Sequence, residues 1–102
     1  MEVIGLKNAV PVEGTIKAWR MIKDKKTELI HLVLNKGETI APHVNESDVI
    51  FYILNGVGRI TAGTEEHELV SHSAIRVEAG LTRSWINPGF TELRMLVIKE
   101  LK

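Results

Sequence analysis

The chain has 102 residues, of which 44% are hydrophobic, and these values are typical of one globular domain with a single core, here residues 1–102. Thirteen basic and thirteen acidic side chains cancel, so no net charge draws the protein to nucleic acid or to an anionic membrane. There is no cysteine, which excludes disulfides and thiolate chemistry. The sequence has no signal-like start, and no apolar run approaches the roughly 20 residues of a membrane span. A cytoplasmic protein is therefore predicted.

The first half of the chain is dominated by strand patterns. Val, Ile and Thr supply 28 residues and no long helical repeat occurs, which favours an all-β fold. Residues Val3–Val12 alternate weakly and contain a proline that cannot donate to a ladder, which indicates an edge strand or the start of a strand. The next strands are Thr15–Lys23 and Glu28–Leu34. The latter is apolar on both faces apart from His31, which predicts burial on both sides, either between two sheets or at a subunit interface.

The second half continues with short strands separated by turns. Val49–Leu54 is strongly apolar, and a turn centred on Gly63 predicts a hairpin. Further strands are predicted at Gly58–Ala62, His67–Val70, Ala74–Val77, Arg83–Asn87 and Thr91–Lys99. With about nine or ten strands and turns about every 8 to 12 residues, the sequence predicts a small antiparallel β-barrel or jelly-roll sandwich.

The most distinctive stretch runs from Gly37 to Gly58. Gly37 is followed by five residues and His43, and the stretch ends in Tyr-Ile-Leu-Asn-Gly-Val-Gly. Farther on, Gly80 and Asn87 are spaced as in a second motif. This pattern resembles the two motifs of the cupin superfamily, and small single-domain cupins in particular, over residues 30–98. The resemblance implies the double-stranded β-helix, or jelly roll, and a homodimer, since small cupins commonly dimerise.

The resemblance also locates the positions of a metal site. Cupins that bind metal use two histidines and a glutamate of the first motif and a histidine of the second; here those positions hold His43, Asn45, Val49 and Arg83. An asparagine carbonyl is a weak donor, valine has no lone pair and guanidinium is positively charged, so no metal cofactor is predicted. A divalent transition metal, if bound, would use His43 with Asn45. A one-residue bulge would instead turn Asp48 inward, although Asp48 also fits the exit of a solvated loop.

The same positions suggest a different kind of site. His43 and Asn45 are two residues apart on one predicted strand, so they point to the same face. If the barrel positions hold, both converge with Arg83 beside Phe51 and Trp85, and arginine binds carboxylate or phosphate through paired hydrogen bonds. The predicted ligand-binding residues are therefore these five, and the predicted ligand is a small polar or anionic molecule.

A structural role for these residues is the alternative. Arg83 would then pair with Glu78 or Glu46 at the barrel mouth, because an ionised arginine buried without a partner is costly. His43 would be a satisfied core residue, and Asn45 would cap a turn.

Three functions follow from these readings. The sequence favours metal-free binding or sensing over catalysis, because it has no nucleophile elbow and no convincing carboxylate pair, and no catalytic residue is predicted. The second function is a metal-dependent cupin enzyme of the dioxygenase or isomerase type, as the resemblance implies. The third is a structural or interaction domain with a filled barrel. The predicted partners are the small molecule and a second copy of the chain, paired through Val3–Val12, with neither nucleic acid nor membrane.

Overall fold

The computed structural model describes all 102 residues and contains ten β-strands and no helix, which confirms the all-β prediction. It therefore offers no helix with the length and apolar character that crossing a membrane requires. The strands are β1 (Val10–Pro11), β2 (Lys17–Lys23), β3 (Thr27–Leu34), β4 (Thr39–Val44), β5 (Asp48–Asn55), β6 (Val57–Ala62), β7 (Glu65–Val70), β8 (Ala74–Val77), β9 (Thr82–Ile86) and β10 (Leu93–Glu100).

The strands form two antiparallel sheets. The larger sheet has the order β1-β2-β3-β10-β5-β8, and the smaller has the order β4-β9-β6-β7. Consecutive strands such as β4 and β5, or β8 and β9, lie in different sheets, so the chain passes back and forth between them. This is a jelly-roll arrangement, as predicted.

The core lies between the sheets and is filled from both. Along β5, buried residues alternate with half-buried ones, so Val49, Phe51 and Ile53 point inward. Ile60 of β6 and Trp85 of β9 meet them from the smaller sheet. A single cluster of 11 buried hydrophobic residues therefore joins the two layers.

Two glycines of the first motif fix the path of the chain over the core. Gly56 has a φ of 87°, and a Cβ there would lie 2.6 Å from the carbonyl oxygen of Glu92. A Cβ on Gly58 would lie 2.6 Å from Cζ3 of Trp85. The motif thus lets β6 pass closely over the indole ring that lies beside the candidate site.

The N-terminal strand is shorter than predicted. Only Val10 and Pro11 form β1, while residues 3–9 contain turns and irregular backbone. The carbonyl of Gly5 accepts hydrogen bonds from the amides three and four residues later, which closes a turn where an extended strand was expected. Pro11 does lie on an edge strand of the larger sheet, where its missing N–H costs no ladder hydrogen bond.

The prediction that the third strand is buried on both faces is correct only for the last two residues of β3. Val33 and Leu34 are 0% exposed, but the other residues of β3 are half-buried. Leu29 and His31 alternate with the inward-facing residues and therefore lie on the outer face of the larger sheet. In a single chain the residues Leu29 and His31 on this outer face are therefore covered only in part.

Candidate functional site

Four residues form a row across the inner face of the smaller sheet. His43 of β4 is the cross-strand partner of Arg83 in β9, Arg83 is paired with Ala62 of β6, and Ala62 is paired with Glu65 of β7. Directly opposed residues of antiparallel strands point to the same side. Trp85, two residues beyond Arg83, is buried in the core, so this side faces the space between the sheets. The structure thus makes His43 and Arg83 neighbours.

His43 stands beside a β-bulge at the edge of the smaller sheet. Ala41 and Pro42 lie opposite the single residue Ser84, and the register shifts there. The side chain of His43 is exposed, so His43 is not the satisfied core residue of the structural alternative. Its Nδ1 lies 3.1 Å from the carbonyl oxygen of Ala41. Because a carbonyl only accepts, this contact assigns the proton to Nδ1 and leaves Nε2 of the neutral ring with a free lone pair.

Arg83 is a deeply buried cation, with 1% of its surface exposed. Its Nε donates to the carbonyl oxygen of Leu81 at 3.0 Å, and its Nη2 donates to the carbonyl oxygen of Glu78 at 2.9 Å. No carboxylate lies within ion-pair distance, so the predicted pairing with Glu78 or Glu46 is wrong. Nη1 is buried and has no hydrogen-bond partner.

The electrostatics of Arg83 are set by burial. Burial lowers the pKa of Arg83, and the negative charge of Asp48 raises it in part. A guanidinium stays protonated at neutral pH even where burial lowers its pKa, because its ordinary pKa lies far above neutrality. The interior therefore holds a positive charge whose direct partners are two backbone carbonyls, and this leaves it attractive to an anion.

A loop between β8 and β9, residues Glu78–Leu81, supplies both carbonyls. The amide of Gly80 donates to the carbonyl of Asn45 at 3.0 Å, and the amide of Ala79 donates to Oδ1 of Asp48 at 2.8 Å. With these amides held by Asn45 and by the first residue of β5, the carbonyls of Glu78 and Leu81 at the two ends of the loop face Arg83. Sequence reasoning missed the contact of this loop with Arg83 because the path of the loop depends on contacts between segments that are distant in the chain.

Asn45 and Asp48 anchor that loop. Oδ1 of Asn45 accepts from the amide of Ser47 at 2.9 Å, so Asn45 caps a turn, as the structural alternative predicted. Asp48 lies on the opposite face of β5 from the buried Val49, so the bulge that would turn it inward is absent. The hydrogen bond from Ala79 lowers the pKa of Asp48, and the charge of Arg76 lowers it further. A contact between Asn45 and a ligand stays a prediction.

Phe51 and Trp85 form the apolar wall of the barrel interior. They are 5% and 2% exposed, and their rings meet edge-on with centroids 5.2 Å apart and an interplanar angle of 62°. The indole Nε1 of Trp85 is buried without a hydrogen-bond partner. The two buried donors without an acceptor, in Arg83 and Trp85, therefore belong to one face of β9.

The four motif positions do not make a metal site. His43 offers one ring nitrogen, Oδ1 of Asn45 already accepts a hydrogen bond, Val49 is apolar and Arg83 brings a positive charge. No three His, Cys, Asp or Glu residues come together in the structure as metal ligands would. Because transition metals need several protein donors, the residues present do not fit one.

A groove opens next to Arg83 where the two sheets part. It lies between β7 and β8, the edge strands of the smaller and the larger sheet, and has a volume of about 470 Å³. We call it the β7–β8 groove. Its apolar lining includes Ala62, Leu69, Ile75, Val77 and Leu81, and Glu65 and His67 are exposed at its rim.

Comparison with known proteins gives one family match and many structural matches. The cupin domain model matches residues 30–99, and no curated protein matches the chain. A predicted oxalate decarboxylase from Thermotoga maritima is similar in structure, with a TM-score of 0.85 and 19% identity over 99% of this chain and 100% of that one. An RmlC-like cupin with a double-stranded β-helix fold from Methanocaldococcus jannaschii has a TM-score of 0.84 and 20% identity over 99% and 91% of the two chains.

A protein from Thermus thermophilus is similar to the same degree. Its TM-score is 0.84 at 23% identity, over 99% of this chain and 98% of that one. Identities this low show a shared fold and leave the activity open. The family match, however, spans most of the sequence. The chain therefore belongs to the cupin family and has the double-stranded β-helix fold of a small cupin.

Proposed function

We propose that this cupin binds a small molecule with an anionic or strongly accepting group, without metal and without catalysis, and that Arg83 is the anchor. The observation that carries the proposal is the buried guanidinium, which has no carboxylate partner and whose Nη1 has no acceptor. Buried polar groups are almost always hydrogen-bonded, and a buried charge without a partner is costly. A carboxylate or phosphate oxygen at Nη1 would provide both the missing acceptor and the missing negative charge.

Neighbouring groups support the same ligand chemistry. Nε1 of Trp85 is a second buried donor without an acceptor on the same face of β9, so it too favours an acceptor-rich ligand. His43 is the cross-strand neighbour of Arg83, so its side chain lies on the same side of the sheet. In this proposal Phe51 packs against Trp85, and Asn45 fixes the loop that positions Arg83. A fixed guanidinium thus stands where the family resemblance puts a metal ligand.

The test is anion binding by the wild-type protein and by two matched variants. Acetate, other small carboxylates and inorganic phosphate are titrated at constant ionic strength while the melting temperature is measured. At about 100 times Kd, a ligand stabilises the folded state by about 2.7 kcal/mol, so the melting temperature rises with concentration. Arg83→Gln is expected to abolish the rise. Arg59→Gln, which removes a partly exposed arginine from the same sheet, is expected to keep it.

The two other functions predict different outcomes. A filled structural barrel predicts no stabilisation by any of these anions, or a stabilisation that Arg83→Gln leaves unchanged. A metal-dependent enzyme predicts stoichiometric transition metal in protein purified without a histidine tag, lost in His43→Ala. Either result would overturn the proposal.

We also propose that the chain forms a cytoplasmic homodimer through the outer face of the larger sheet. That face carries a group of half-buried apolar side chains that no other part of the chain covers fully, including Trp19, Leu29, Ile50, Leu96 and Ile98. Sedimentation equilibrium is expected to give a dimer, and Leu96→Lys a monomer. Val44→Lys, at an exposed apolar position of the smaller sheet, serves as the control and should stay dimeric. A monomeric wild type would contradict the proposal, and the contact of residues 3–12 with the partner stays a prediction.

A further inference from the structure

The β7–β8 groove has apolar residues in its floor and polar residues at its rim, and two of its lining residues, Ala62 and Leu81, are direct neighbours of Arg83. Leu69 and Val77 belong to the hydrophobic core, and Ala62 and Ile75 pack against it, so the floor of the groove is continuous with the barrel interior. Its volume of about 470 Å³ lies within the range of small-molecule sites, about 300–1,000 Å³. Apolar residues in the floor of the groove favour an apolar part of a ligand over a second charged group.

The groove and Arg83 share two residues. Ala62 lines the groove and is the cross-strand partner of Arg83. Leu81 also lines it, and the carbonyl of Leu81 accepts the hydrogen bond from Nε of Arg83. A Cβ placed on Gly63 would lie 3.5 Å from Cδ2 of Leu81, so the leucine side chain reaches the turn between β6 and β7. Leu81 therefore covers the inner end of the groove, next to Arg83.

The rim of the groove carries acidic groups. Glu65 and Glu68 have side chains that are 74% and 55% exposed, and both line the groove. His67 is paired with Glu65 at 2.9 Å, and Glu68 with Arg59 at 3.3 Å. Arg76 lines the groove as well, but it pairs with Glu100 at 2.8 Å and approaches Asp48 at 3.6 Å. The rim thus offers no free cation to a second anionic group.

We infer that the ligand is an amphipathic monocarboxylate, with its acidic head at Nη1 of Arg83 and its apolar body in the β7–β8 groove. This inference rests on the proposed function and adds the shape of the ligand to it. Arg83 does not itself line the groove, but Leu81 does, and Leu81 is 41% exposed, so in this inference the head reaches Nη1 by displacing the Leu81 side chain. The far end of the ligand lies near Glu65 and Glu68, so it is uncharged.

The test is a series of linear monocarboxylates of increasing length, titrated by calorimetry at fixed ionic strength. Affinity is expected to rise about fourfold per methylene until the groove is full, which is the fold-change given by about 0.8 kcal/mol per buried CH₂. A dicarboxylate of the same length is expected to bind several-fold more weakly than the monocarboxylate. Leu81→Gln should flatten the dependence on length while acetate still binds. Phe90→Gln, at an exposed apolar residue outside the groove, should leave the dependence unchanged.

The outcomes separate this inference from the proposed function. If short carboxylates bind through Arg83 and longer ones bind no tighter, the groove inference is overturned and anion binding stands. If long chains bind equally well to wild type and to Arg83→Gln, the head is wrongly assigned and the inference also falls. If phosphate binds through Arg83 and no carboxylate does, only the inference fails. If nothing binds, both are overturned.

Discussion

Two polar side chains of equal burial and opposite character lie near the start of strand β9 and directly after its end. Arg83 and Asn87 are each 1% exposed. The side-chain amide of Asn87 donates to the carbonyls of Leu34 and Thr91 at 3.0 and 2.9 Å, and its Oδ1 accepts from the amide of Gly89 at 3.0 Å. Arg83 has two carbonyl partners and one buried nitrogen without any.

The contrast separates a structural group from a binding group. The side chain of Asn87 completes its hydrogen bonds inside the fold and ties the turn after β9 to the end of β3, so nothing else is needed there. Arg83 has a charge and a donor that the fold leaves uncompensated. A ligand would supply to Arg83 the hydrogen-bond partner that the backbone supplies to Asn87. Substitution of each residue can therefore measure whether its role is in stability or in binding.

The largest effect is expected for Asn87→Ala. The substitution removes the hydrogen bonds to the buried carbonyl of Leu34, to the carbonyl of Thr91 and to the amide of Gly89. This should lower the free energy of unfolding by about 3–4 kcal/mol in urea denaturation. Asn55→Ala is the control, because Asn55 is exposed and makes one longer hydrogen bond, 3.3 Å to the carbonyl of Glu92, worth less than about 1 kcal/mol. Equal losses in the two variants would contradict a structural role for Asn87.

A smaller effect is expected for Arg83→Met. Methionine has a similar length and removes the buried charge. The carbonyl of Leu81 loses its donor from Arg83, whereas the carbonyl of Glu78 keeps a long hydrogen bond from the amide of Leu81 at 3.4 Å, so gain and loss roughly cancel. Replacing buried ions by apolar groups is often neutral or stabilising, and we expect a change within about 1 kcal/mol in urea denaturation. The response of the melting temperature to anions should disappear. A loss as large as that of Asn87→Ala would instead make Arg83 a structural residue.

The fold was predictable because its signals are local. The alternation along residues 49–54, like the glycine turns and the β-branched residues, is a pattern of near neighbours in the chain. Every long strand forms near its predicted place. The errors also have a local cause. In residues 3–9, a turn around Gly5 outcompeted a weak alternating pattern. On β3, both faces of the predicted strand are apolar. That pattern does not show whether a face is covered within the single chain or only in part.

The site was predictable only in part because its partners are not side chains. The motif resemblance predicted that His43 and Arg83 converge inside the barrel, and the structure pairs them across two neighbouring strands. The resemblance could not show that Arg83 would bind backbone carbonyls, since every residue carries one and only the path of the loop selects them. The β7–β8 groove was missed for the same reason. It arises where two sheet edges part, and no single stretch of sequence records that geometry.

The smallest effect concerns the one acid whose charge influences Arg83. Asp48→Asn removes that charge, and the new amide oxygen can still accept from Ala79, so the loop should persist. Anion affinity, measured by calorimetry at low salt, is expected to rise about two- to fivefold, the size of a partly screened charge interaction. Asp24→Asn removes an equal charge that does not influence Arg83, and should leave the affinity unchanged.

The acid dependence of stability checks that these two variants are otherwise matched. In the folded state, backbone hydrogen bonds lower the pKa of both acids. The amides of Lys26 and Thr27 donate to Asp24, and the amide of Ala79 donates to Asp48. Each therefore adds stability that is present above its unfolded pKa of about 3.8 and is lost as the pH falls through the folded value. Both variants should flatten the acid limb of the stability curve, but only Asp48→Asn should change anion affinity. An equal change in affinity from Asp24→Asn would mean that net charge, and not proximity to Arg83, controls binding.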